Sequence, residues 1–170
     1  QQGILFRSTE AIESLSEVDT VAFDKTGTLT VGKPTLSAFH VVPPFEDASL
    51  LAQLAIVEAR SEHPLAIAVV EAAKEKKLLT TLEVTDFLAI AGSGIEARLS
   101  NGDQVLVGSE NFLHERNIDT SRVSEHVDRA IDQGSGYFFA AVNRQLAASL
   151  IVADPIKPST PAAVSQLIAR

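Results

Sequence analysis

Apolar residues change their spacing several times along this chain, and each change marks a new element. Over residues 9–18, Ile12 and Leu15 share a helical face among Glu10, Glu13 and Glu17, which predicts a short amphipathic helix. The uninterrupted run Val21-Ala22-Phe23 predicts a buried strand over 20–23. Gly32-Lys33-Pro34 breaks the chain, and residues 35–42 read as a strand ended by Pro43-Pro44. Two helices follow, over 46–59 and 64–77, the second opening with Pro64 in a first turn that needs no N–H donor. Residues 82–90, 94–99 and 104–107 read as strands, parted by Gly92-Ser93-Gly94 and by the hairpin signal Asn101-Gly102-Asp103. Helices over 109–115 and 121–133 precede a hairpin of 137–142 with 145–152 around Asn143-Arg144. Beyond Asp154-Pro155-Ile156-Lys157-Pro158, Ser159 can cap a last helix running towards Arg170.

This order predicts a discontinuous architecture. Residues 1–31 open one α/β domain, residues 32–152 form a compact α+β insert, and residues 153–170 return to the first domain, whose two short pieces cannot complete a doubly wound sheet. Hairpin-linked strands alternating with helix pairs give the insert an antiparallel sheet flanked by helices.

Composition narrows the partners. Of the 170 residues 45% are hydrophobic, enough for a core, yet only 5% are aromatic, so that core is aliphatic and platforms for stacking nucleic-acid bases are missing. Fourteen Lys and Arg face 22 Asp and Glu, and a charge of −8 argues against a nucleic-acid partner. Without Cys or Met there is no disulfide, thiol chemistry or sulfur-ligated metal. No apolar stretch reaches the length of a membrane span, and Gln1-Gln2-Gly3 does not start a signal peptide, so a piece that is not membrane-inserted is expected.

The chemistry is concentrated in Asp24-Lys25-Thr26-Gly27-Thr28-Leu29-Thr30. Here a carboxylate leaves the apolar run and enters a turn of small hydroxyl residues. Ligands of open α/β sheets bind at such strand ends. The N–H groups of residues 25–27 can curl into an anion-binding nest, Gly27 permits close backbone approach, and Lys25 adds positive charge. All seven residues match the phosphorylation signature of the P-type ATPases, members of the haloacid-dehalogenase-like superfamily. The resemblance implies a Rossmann-like phosphorylation domain, here incomplete, in which Asp24 takes the γ-phosphate of ATP as an acyl phosphate. It also implies that Asp24 and the backbone carbonyl of Thr26 ligate magnesium, while the N–H and hydroxyl of Thr26 hold phosphoryl oxygens.

Three further motifs lie in the insert. Ser61-Glu62-His63-Pro64 can be a simple helix start. It also resembles the Ser-Glu-His-Pro motif of the heavy-metal, type-IB branch, which implies that His63 and Glu62 hold adenine. Gly92-Ser93-Gly94 is either a strand-to-strand turn or that branch's Gly-x-Gly beside the nucleotide. Val107-Gly108-Ser109 resembles the branch's Val-Gly-Asn with serine for asparagine, so Ser109 offers one hydroxyl where an amide has separate donor and acceptor groups, or simply caps a helix. Asp154-Pro155-Ile156-Lys157 resembles the family's return hinge.

The resemblance spans nearly the whole chain and implies the ATP-binding domain, with part of the phosphorylation domain, of a heavy-metal pump. Copper(I) is the first choice of cargo, with zinc, cadmium or cobalt as rivals, because metal is selected in membrane helices that this sequence lacks. Implied partners are ATP and ADP, magnesium, and the actuator and membrane domains of the parent, for which this would be a cytoplasmic portion. Absent from the sequence are the actuator's Thr-Gly-Glu and the downstream Gly-Asp-Gly-x-Asn-Asp of the magnesium site, so the chain alone is expected to bind ATP without turning it over. Two other readings stay open: a soluble haloacid-dehalogenase-like phosphatase, and a nucleotide-binding module only. The phosphatases usually carry a second Asp two residues after the nucleophile, where this chain has Thr26.

Overall fold

Asn143 and Arg144 both adopt positive φ, 49° and 65°, the backbone twist that a two-residue hairpin loop requires. In the computed structural model, which describes residues 8–169, they join β5 (Gly136–Val142) to β6 (Gln145–Ala153). Asn143 Oδ1 also accepts from Gln104 N at 3.0 Å, tying the turn to the next strand. With β1 (Thr35–Val41), β2 (Val84–Ile90), β3 (Gly94–Leu99) and β4 (Gln104–Gly108), these strands make one antiparallel sheet in the order β1-β6-β5-β4-β3-β2.

Alternation along the strands gives the sheet two apolar faces. Val105 and Val107 point to the side covered by α2 (Asp47–Glu58) and α3 (Pro64–Glu75), where they pack with Leu50, Leu54, Val57 and Val69. Leu106 points to the other side and joins Phe112, Leu113, Val127 and Phe139 beneath α4 (Glu110–His114) and α5 (Ser124–Asp132). Residues 35–153 thus form the helix-flanked antiparallel sheet expected from the pattern, nearly residue for residue.

Two expectations fail. The helix expected over 121–133 is split into a 3-10 turn, Ser121–Val123, and α5, because Val123 leaves the helical region at φ −122°. The buried strand expected over 20–23 does not form. Val21 and Phe23 are 52% and 45% exposed, and no described strand lies beside them to take their N–H and C=O groups. The helices on either side, α1 (Thr9–Ser16) and α6 (Thr160–Ile168), likewise leave Ile12, Leu15, Leu167 and Ile168 exposed.

The segments leading into and out of the sheet run side by side. Thr35 pairs with Ala153 at the end of the β1–β6 ladder, Val31 N donates to Pro155 O at 2.8 Å, and Thr30 bridges Ile156. Among the described residues no helix is long and apolar enough to cross a membrane.

Candidate functional site

A cavity of about 350 Å³ opens where the end of α2, the start of α3, the β2–β3 turn and the start of α4 meet. Ile95, Val107 and Phe138 give it an apolar floor. His63, Gly92, Gly94 and Ser109 all line it, so residues spread over 47 positions of sequence (63 to 109) meet at one cavity. Glu62 does not line it and is exposed.

Each of these residues is held by the local backbone. His63 is the N-cap of α3: its Nδ1 accepts from Leu65 N at 3.2 Å, and its own N–H donates to Ser61 Oγ at 3.2 Å. A ring that accepts at Nδ1 carries its proton on Nε2, which leaves one donor free. Ser109 caps α4 by accepting from Phe112 N at 3.3 Å, so the simple capping role and the place in the cavity wall coincide in one residue. The two glycines differ. Gly92 has φ 72° and nothing within 4 Å of where a Cβ would stand, an open stretch of backbone. At Gly94 a Cβ would fall 2.4 Å from Val107 O and 2.8 Å from Gly108 Cα, so packing against the paired strand, and not access alone, demands glycine there.

Sequence reading missed Glu58. It ends α2 on the same face as Leu50 and Leu54, is only 4% exposed, and lines the cavity. No described side chain or backbone group hydrogen-bonds its carboxylate, and burial pushes its pKa from the ordinary 4.5 up to about 7. The four-residue spacing from Leu54 was the available signal, since it continues the buried stripe. A carboxyl whose folded pKa lies above its unfolded one holds its proton longer in the folded protein. Stability is therefore unpenalised below pH 4.5, falls as pH rises through 7, and is flat above. Glu58→Gln should remove this dependence and stabilise the chain at pH 8 by roughly 3 kcal/mol, while leaving it little changed at pH 4. Urea unfolding at the two pH values measures the difference, and parallel curves for the two proteins would refute it.

Asp24 lies at the other candidate centre, outside the cavity lining. Its side chain is exposed and makes no capping bond. Lys25–Leu29 is a wide turn closed by Thr30 N donating to Lys25 O at 3.1 Å, with Thr26 extended and Gly27 at φ 76°. From the returning segment, Lys157 Nζ donates to Gly27 O at 2.6 Å and Thr160 Oγ1 to Leu29 O at 2.8 Å. The loop is therefore fastened from behind while Asp24, Lys25 and Thr26 face solvent.

The sequence pattern of the haloacid dehalogenase-like hydrolases matches residues 18–170. Copper-transporting ATPase 2 of Rhizobium meliloti (strain 1021) is 42% identical over 165 residues, 97% of this chain and 20% of that protein. A zinc-transporting PIB-type ATPase in its E2.Pi state superposes with a TM-score of 0.80 at 32% identity, over 94% of this chain and 25% of that one. The catalytic domain of the CPx-ATPase CopB-B gives a TM-score of 0.62 at 28% identity, over 96% and 54% of the two chains. The chain thus spans about a fifth of the length of its copper-transporting relative. Since both the loop at Asp24 and the cavity-bearing sheet fall inside the matched stretch, the chain belongs to the haloacid dehalogenase-like hydrolases, and it is similar to a copper-transporting ATPase and to a zinc-transporting PIB-type ATPase.

Proposed function

We propose that this chain is the ATP-binding and phosphoryl-accepting part of a larger membrane pump for heavy-metal cations. The observation that carries the reading is the cavity, which pairs a free imidazole N–H and a buried carboxylate without partners over an apolar floor. Such a pocket suits a flat heterocycle with polar edges. Residues 32–152 act as the nucleotide-binding domain, and residues 1–31 and 153–170 belong to the phosphorylation domain.

In this reading adenine lies on Ile95, Val107 and Phe138, with His63 Nε2–H at its edge and Gly92 and Gly94 along the sugar and phosphates. Glu58 takes the part expected of Glu62, accepting from the exocyclic amine, because it stands in the cavity and Glu62 does not. A carboxylate accepts best when ionised, so ATP affinity should rise roughly ten-fold between pH 6 and 8, through the raised pKa of Glu58.

Asp24 supplies the nucleophile. A carboxylate oxygen forms the new O–P bond as the γ-phosphorus parts from the β–γ bridging oxygen and ADP leaves. The N–H and hydroxyl of Thr26 hold phosphoryl oxygens, and Lys25 offsets charge. Magnesium fits what the loop offers, an exposed carboxylate at Asp24 and the carbonyl of Thr26, since this ion is usually held by few protein oxygens. It would neutralise phosphate charge. Among the described residues no group of three His, Asp or Glu gathers to hold a metal, so this chain contributes at most that partial set. The cargo is a heavy-metal cation, with copper(I) first on the strength of the copper-transporting relative and zinc next from the structural one. Thr26, in place of a second Asp, favours a lasting acyl phosphate over phosphatase turnover.

Calorimetric titration of the chain with ATP tests the cavity. His63→Ala should weaken binding at least about ten-fold, matching the loss of a buried hydrogen bond and ring contact. Glu58→Gln should bind with no more pH dependence than the ligand's own, and Glu62→Ala should bind like wild type. Equal affinity in wild type and His63→Ala would remove the adenine assignment.

A further inference from the structure

Asp154 is the first residue beyond β6, and its carboxylate reaches back across the incoming segment. One oxygen takes the hydroxyl proton of Thr30, and the other accepts from Gly32 N at 2.8 Å and Lys33 N at 3.2 Å. Thr30 closes the phosphorylation loop and is only 3% exposed. Its Oγ1 accepts from Gly27 N at 3.1 Å and lies 3.1 Å from Lys25 O. A hydroxyl has one proton, and a charged acceptor takes it in preference to a carbonyl that already receives Thr30 N–H. So oriented, the lone pairs of Thr30 are left for the Gly27 amide. The chain Asp154–Thr30–Gly27 therefore runs from the outgoing segment, through a buried hydroxyl, to the turn that carries Asp24 and Thr26. The same carboxylate fixes the first residues of the path into the sheet.

We infer that Asp154 is a positioning residue for phosphoryl transfer, its carboxylate holding the Asp24 loop and the two segments that connect it to the sheet in one arrangement. The inference rests on the reading of Asp24 as phosphoryl acceptor. It assigns Asp154 no contact with nucleotide. Phosphoryl transfer is governed by alignment of the attacking and leaving oxygens, so a loosened loop affects the chemical step more than binding.

The test compares Asp154→Asn, Asp154→Ala, Thr30→Val and Thr30→Ser. In the full-length parent, the rate of acyl-phosphate formation and the apparent KM for ATP are measured. In the 170-residue chain, ATP affinity and amide hydrogen exchange are measured. Asp154→Ala and Thr30→Val should slow phosphorylation by about ten- to a hundred-fold with ATP affinity unchanged. Asp154→Asn, which keeps the shape, should be slowed less, and Thr30→Ser should restore the rate. Pairing Asp154→Ala with Thr30→Val should add little to either alone, as expected for one network. Exchange at Gly27, Gly32 and Lys33 should quicken in Asp154→Ala. Wild-type phosphorylation in Asp154→Ala, or additive losses in the pair, would overturn the proposal. A parent that never labels refutes the pump reading instead, and unchanged exchange at the three amides would then overturn the clasp independently.

Discussion

Asp24→Asn in the full-length parent should abolish the acid-stable, hydroxylamine-sensitive label obtained from γ-labelled ATP. The amide that replaces the carboxylate is neutral and a poor nucleophile, so the loss should reach at least ~1,000-fold. Binding should survive, because Asp24 does not line the cavity where the nucleotide is placed. Calorimetry on the Asp24→Asn chain should therefore return the wild-type affinity. Label that persists in Asp24→Asn would move the phosphoryl acceptor elsewhere and end the central assignment.

Gly94→Val should unfold or severely destabilise the sheet. The first added carbon meets Val107 O at 2.4 Å and Gly108 Cα at 2.8 Å, backbone atoms of the hydrogen-bonded neighbour that cannot rotate away. A cost of about 3 kcal/mol or more is expected, equivalent to a fall of roughly 6–12 °C in Tm for a chain of this size. Gly92→Ala makes the contrast. There the new carbon meets nothing, and only the positive φ is strained, at about 1–2 kcal/mol. Thermal melts of the two variants measure the gap between them, and a Gly94→Val chain that melts with wild type would show that the strands can separate at this point.

Those two glycines also show how far sequence reading reached. On paper Gly92 and Gly94 look alike, since both belong to one turn motif. Only strand pairing separates them, by setting Gly94 opposite Gly108 beneath Phe112. The sheet itself was legible because period-two alternation and turn residues such as Asn143-Arg144 are local signals. Ser109 was legible as a helix cap for the same reason, and Ser61-Glu62-His63-Pro64 as a helix start, although the cap proved to be His63. Glu58 was not, because a charged residue on an aliphatic helix reads as a solvated position until the packing of α2 on the sheet decides which way it faces. The strand at 20–23 was misread for the opposite cause. Its apolar run is real, but a strand exists only beside a partner, and none is described here. The network around Asp154 joins residues more than 120 positions apart, a distance across which sequence spacing carries no signal.

Because Thr35 and Ala153 are partners on adjacent strands, the two ends of the stretch 35–153 lie about 5 Å apart. To the flanking segments, the folded stretch is then equivalent to a tight turn, since the entropy of closing a loop depends on its span and free length and not on the mass carried at its tip. Insertion or deletion within the α2–α3 or α5 regions should leave that closure cost unchanged so long as β1 and β6 remain paired. Lengthening the segments around residues 32–34 or 154 would instead raise it directly, and would slacken the register between the loop at Asp24 and the sheet. The size of the stretch between β1 and β6 is thus free to drift, whereas the length of its two-stranded stem is not.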